Sequence, residues 1–176
     1  MAPEVLHRVC HGTSKPSKEE AALFTVQPAL LHHYCRHKVA GCDYPGILFE
    51  KDKSVRGTYV TGLTEMDIVR LDHFEGDQYS RNKVEVELLE GAEKGTIKET
   101  ESYVWIEDGG LVKEEWSYEE FRKEKMHRWA DHSEEYADVD ELDEKAHDPT
   151  GGRGIKTYAK EGEKKAVEEE ILDSAV

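Results

Sequence analysis

The chain has 176 residues, enough for one domain and a tail, and its 36% charged against 37% hydrophobic residues is polar for a wholly packed domain. Its 39 acidic and 24 basic residues give a net charge of −15, which repels a phosphate backbone and argues against general nucleic-acid binding. No stretch approaches the roughly 20 apolar residues that cross a bilayer, and MAPEVLHRVC lacks the apolar segment of a secretory leader.

In chain order, Ala2 to Val9 reads as a helix. Pro3 suits its first turn, and Val5, Leu6 and Val9 share a face. HGTSKPS at 11–17 is a loop. Leu23 to Val26 and His33 to Val39 are two strand candidates, and YPG at 44–46 is a turn. VRGTYVTGL at 55–63 is a strand rich in β-branched residues. Thr64 can cap the next helix, with Glu65 and Asp67 at its positive end, an apolar face from Met66 to Phe74, and Gly76 as its stop. Lys83 to Leu89 alternates Val84, Val86 and Leu88 with charges, and Glu99 to Ile106 puts Tyr103 and Trp105 on one side. EGAEKGT joins these two strands. Ser117 to His132 is an amphipathic helix with a Ser117–Glu120 capping box and Tyr118, Phe121, Met126 and Trp129 as its apolar residues.

Composition changes after this helix. Residues 131–176 hold 15 acidic and 6 basic side chains and so contribute −9 of the −15. DPTGGRG at 148–154 reads as loop, and Ala166, Val167 and Ile171 stand at near-helical spacing. The expected organisation is a domain over 1–130 and a weakly packed acidic tail over 131–176. Short sequential strands flanked by helices, without βαβ alternation, predict an α+β fold with a small mixed or antiparallel β-barrel.

Three places in the chain offer chemistry. Cys10, Cys35 and Cys42, odd in number and without a CxxC pair, read as reduced thiols of a cytoplasmic protein, and no local feature activates one as a nucleophile. His33, Cys35 and His37 would share one face of a strand, but with no second ligand pair they read as a structural or exposed strand, so no metal is expected. In LDHFEGDQYSR at 71–81, Glu75 follows Phe74 at the end of an apolar helix. A carboxylate pressed on apolar surface resists ionisation and gains acid/base character, although an acid near a helix end is ordinarily just solvated.

The segment VRGTYVTGLTEMDIVRLDHFEGDQYSRNKVEVEL narrows this choice. It resembles the gamma-glutamyl cyclotransferase-like family, which includes plant avirulence-induced proteins and fungal members. A strand is followed by a helix entered through G-L-T, then by L-D-x-F-E-G-x-x-Y-x-R and a strand of alternating valines. YPG at 44–46 and TESYVW at 100–105 stand in the expected order, and EEWSYEEFRKEKMHRW looks like the C-terminal helix of the fungal branch. The resemblance covers about residues 1 to 130 and implies a compact β-barrel with flanking helices.

It also implies an intramolecular acyl transfer. The α-amino group of a small gamma-glutamyl amine or peptide attacks its own γ-carbonyl, 5-oxoproline forms, and the amine leaves. Glu75 matches the family's acid/base carboxylate, and ring closure supplies the nucleophile, so neither a Ser or Cys nucleophile nor a cofactor is implied. Tyr79 and Arg81 either line the pocket or, for Arg81, pair with an acidic neighbour. Tyr103 and Trp105 read as core in preference to a substrate platform. One motif departs from the family: a Y-G-x-L strand, whose backbone N–H groups hold the glutamyl end, precedes the MAPEVLHRV segment in relatives. The sequence starts at Met1, and His11-Gly12-Thr13 follows a helix and precedes Ser14, which rules it out as that cradle. The expectation is a chain with little or no turnover as given, and the rival to the enzyme is a non-catalytic member that binds a ligand or a protein.

Overall fold

A computed structural model describes residues 1–131 and 136–146. In chain order the elements are α1 (Pro3–His11), α2 (Lys18–Ala21), β1 (Thr25–Val39), β2 (Pro45–Thr61), α3 (Glu65–Glu75), β3 (Tyr79–Leu88), β4 (Ile97–Trp105), β5 (Leu111–Glu115), α4 (Tyr118–Glu124), α5 (Met126–Asp131) and α6 (Ala137–Ala146). All the strand pairs are antiparallel, in the order β2-β1-β3-β4, with β5 on the far end of β1. The sheet curls until β4 comes near β2, although no ladder joins that pair. The mixed-or-antiparallel alternative thus resolves to antiparallel.

Two cores follow from the patterning. Val84, Val86 and Leu88 of β3 meet Ala29 and Leu31 of β1, as the period-two alternation requires. A second core gathers the helices: Val5, Leu6 and Val9 of α1 pack with Leu71, Phe121, Met126 and Trp129. The caps act as the sequence indicates. The Thr64 hydroxyl accepts from the Asp67 N–H while the Asp67 carboxylate accepts from the Thr64 N–H. At Ser117 only the forward half of the box forms, with Ser117 Oγ accepting from the Glu120 N–H at 3.2 Å.

Several boundaries differ from the sequence reading. The two strand candidates at 23–26 and 33–39 are one strand, β1, bent at a bulge between His32 and Tyr34, where His33 takes φ 64°. Its partner β2 starts at Pro45, so the expected turn at 44–46 lies earlier, around 40–44, and Pro45 and Gly46 pair with Lys38 and His37. Pro at the first position of a strand loses no interior ladder bond. The helix expected over 117–132 breaks at Lys125 into α4 and α5. The short β5, too charged to show alternation, and the single-turn α2, capped by Ser17 and Glu20, had no apolar signal.

The expected boundary at 130 also moves. Tyr136 and Val139 are 0% and 1% exposed in the helical core, and the Arg8 guanidinium donates to both Asp140 carboxylate oxygens at 2.8 and 2.7 Å. Residues 136–146 therefore belong to the folded unit, and a segment read as solvated is partly packed. The loop at 148–154 and the helix around Ala166 to Ile171 lie outside the described residues. Among the described residues no helix is long and apolar enough to cross a membrane, and Cys10, Cys35 and Cys42 form no disulfide.

Candidate active site

Gly62 begins the turn that carries β2 into α3. Its φ is 93°, and a Cβ there would stand 2.2 Å from the Leu23 carbonyl oxygen, so only glycine fits. At the other end, Gly76 takes φ 70° and donates its N–H to the Asp72 carbonyl at 3.1 Å. Glu75 is thus the last helical residue before a backbone turn, not a mid-helix side chain free to reach water.

Asp72, one turn earlier, pins this helix end to the sheet. Its carboxylate accepts from Arg81 Nε of β3 at 3.0 Å and from the Tyr103 hydroxyl of β4 at 2.6 Å. Arg81 also pairs with Glu101. The Tyr79 hydroxyl donates to the Pro45 carbonyl at 3.0 Å, tying β3 to the start of β2, and its ring meets Trp105 edge-on. These contacts fix α3, β2, β3 and β4 around one volume.

That volume is a cavity of about 680 Å³ between the sheet and α3. Apolar side chains of Leu31, Val84, Val86 and Phe74 make much of its wall, and Glu75, Tyr79, Arg81, Arg36, Tyr44 and Tyr103 supply polar ends. A few polar groups in an apolar concavity are what a small-molecule site requires. The structure brings all three sequence-derived residues, Glu75, Tyr79 and Arg81, to this one cavity. His11, Gly12 and Thr13 end α1 and none lines it.

Glu75 is half-buried as a residue, but its carboxyl is desolvated, which pushes its pKa up to about 7 from an ordinary 4.5. The α-ammonium of Met1, another lining residue, acts in the opposite sense and favours the carboxylate. Desolvation pulls that amine below its usual 8.0. The carboxyl therefore changes charge near neutrality. Burial raises the Tyr79 and Tyr103 hydroxyls, which stay protonated donors, and pulls the Arg36 guanidinium down.

Sequence reading missed Arg36 and Asp72. Strand parity contained a signal for Arg36, which alternates with Cys35 and His37 and so faces the opposite side, into the cavity. Asp72 stands three residues before Glu75 on the same helix face, a spacing that places both at the helix end. The pairing read as core divides: Trp105 is buried, its indole N–H shared between the Glu107 and Gly109 carbonyls, whereas Tyr103 borders the cavity.

Comparison with known proteins agrees with the resemblance. The family described as "Gamma-glutamyl cyclotransferase, AIG2-like" matches residues 3–131. Protein AIG2 C of Arabidopsis thaliana is 36% identical over 96 residues, 54% of this chain and 56% of that protein. Protein AIG2 B of the same plant is 34% identical over 110 residues, 62% of this chain and 63% of that protein. The chain thus spans less than two thirds of either relative. A solution structure of an Arabidopsis thaliana protein aligns with a TM-score of 0.48 at 25% identity, covering 77% of this chain and 81% of that one.

Proposed function

Because the chain belongs to the gamma-glutamyl cyclotransferase, AIG2-like family, we propose that Glu75 is the acid/base of an intramolecular acyl transfer on a small gamma-glutamyl amine or peptide. The observation that carries the reading is the Glu75 carboxyl, desolvated against the apolar walls of the cavity. A substrate α-ammonium takes the place next to Glu75 and gives it a proton. The freed amine attacks the γ-carbonyl and a C–N bond closes the five-membered ring. The bond to the leaving nitrogen then breaks; that nitrogen receives the proton held on Glu75 and, through the same carboxylate, the second proton shed by the ring nitrogen, so it departs as an ammonium. 5-Oxoproline and an amine are released, and Glu75 returns to its starting charge. A pKa near neutrality suits both halves of the cycle. No metal or organic cofactor enters.

Arg36 is the cation for the substrate's α-carboxylate in this reading, since it lines the same cavity and its field reaches the Met1 amine. Tyr79 and Arg81 serve as the wall of the glutamyl end. Their polar atoms bond Pro45, Asp72 and Glu101, which keeps that wall rigid. Arg36→Met is expected to raise KM about 10- to 100-fold, the worth of a charged hydrogen bond, with kcat much less affected. Steady-state kinetics on one gamma-glutamyl amine checks the split.

The rival reading is a ligand-binding member without turnover. Release of 5-oxoproline from a panel of gamma-glutamyl compounds separates the two. Release that depends on Glu75 supports the enzyme, and saturable binding with no 5-oxoproline supports the binding module.

A further inference from the structure

Cys35 and His37 leave β1 on the side opposite Arg36, outside the cavity. The β1–β2 register sets Cys35 against Leu48 and His37 against Gly46, so Glu50, two residues past Leu48, lies on that same face. One ligand atom each from Cys35, His37 and Glu50 lies within 4.8 Å of the others. His37 Nε2 and Glu50 Oε2 are 3.2 Å apart. We propose that Cys35, His37 and Glu50 bind one zinc-like divalent cation, a site separate from the cavity and independent of the proposed catalysis.

The donor set selects the ion. Thiolate, imidazole and carboxylate suit zinc, whereas magnesium and calcium take oxygen alone. Zinc bonds of about 2.0–2.3 Å leave tetrahedral ligand atoms roughly 3.5 Å apart. The His37–Glu50 edge already stands near that value, and rotamer adjustment of Cys35 closes the other edges. The fourth position falls to water or to Glu115, which pairs with His37 across β1–β5 and is held by Lys53 at 3.1 Å. Access is also graded. Cys35 is 3% exposed, while the Glu50 side chain is 42% exposed and gives the ion a way in.

Charge agrees with this reading. Glu50 reaches the Cys35 thiol from β2, and Glu115 stands opposite His37 across β1–β5. A divalent cation satisfies both carboxylates and takes the place of the thiol proton. Glu50 also begins the segment 50–53 that stands opposite His33, since the register runs from His32↔Ser54 to Tyr34↔Phe49. Asp52 within it has φ 70°. The backbone ladder is broken there, and a cation bound to both strands would clip them at the break. His33, the third residue of the sequence cluster, leaves the shared face because of this bulge, and Glu50 takes its place as a ligand.

Cobalt(II) added to the full 176-residue chain, freed of metal beforehand, reports the site. The expected result is one equivalent bound, with a sulfur-to-cobalt charge-transfer band and the strong visible bands of tetrahedral cobalt. Cys35→Ser abolishes the charge-transfer band, while the double variant Cys10→Ser, Cys42→Ser keeps it. Glu50→Gln, a near-isosteric change at a half-exposed position, weakens zinc binding 10- to 100-fold by calorimetry. A chain without the charge-transfer band, a band lost from the Cys10/Cys42 variant, or equal zinc affinity in Glu50→Gln each overturns the proposal.

Discussion

Glu75→Gln is expected to lower 5-oxoproline release by about 10²–10⁴-fold, the usual worth of a positioned acid/base. Glutamine has nearly the same shape, so the helix end, the Gly76 turn and the Asp72 contacts to Arg81 and Tyr103 remain. The variant removes the ionisable carboxyl and with it the ability to take and return a proton. KM should rise as well, because an amide does not replace the carboxylate that receives the substrate ammonium. A solvated Glu75 with no chemical role would leave the rate where it was. Full turnover by the glutamine variant, in a chain of unchanged circular dichroism, removes Glu75 from the mechanism.

Tyr136→Ala should cost about 3–5 kcal/mol of unfolding free energy, the range for deleting a buried aromatic ring. The ring is fully enclosed, stacks on Phe74 with centroids 5.3 Å apart, and lies under the Arg8 guanidinium at 4.4 Å. Its hydroxyl donates to the Trp129 carbonyl at 2.7 Å. Tyr136→Phe keeps the ring and should lose only about 0.5–1.5 kcal/mol. Phe74 directly precedes Glu75, so the alanine variant also loosens the helix end under the carboxyl. Urea unfolding of both variants checks the ranking. An alanine cost under about 1 kcal/mol is the value for a surface residue and would place residues 136–146 outside the folded unit.

How much of this was legible in the sequence depends on the kind of signal. The helix from Glu65 to Glu75 was legible because capping chemistry is local: Thr64, Asp67 and Gly76 act within a few residues. Val84, Val86 and Leu88 were legible because alternation reports burial directly. Glu75 depended on the family resemblance, since local chemistry alone gives a carboxyl at a helix end and no cavity. Tertiary encounters were not legible. The ion pairs of Asp72 with Arg81 and of Arg8 with Asp140 join residues 9 and 132 positions apart. Nothing near Asp140 announces that Tyr136 is buried, because its surroundings are acidic and only the partner surface makes them a packed face. The same holds for Glu50, which reaches Cys35 and His37 only through the β1–β2 register.

The protonation of Glu75 also sets a stability profile. Its pKa is about 7 folded against an ordinary 4.5, so its contribution is fully present below about pH 4.5 and is lost as pH rises toward 7. The loss is on the order of 3 kcal/mol, and Glu75→Gln should flatten that part of the curve. The carboxyl itself is the most direct witness. A carbon-detected NMR titration of the Glu75 side chain in the folded chain, assigned by comparison with the glutamine variant, should give a midpoint near 7. A midpoint at the ordinary 4.5 would mean a solvated carboxylate, and the acid/base role assigned to it would not stand.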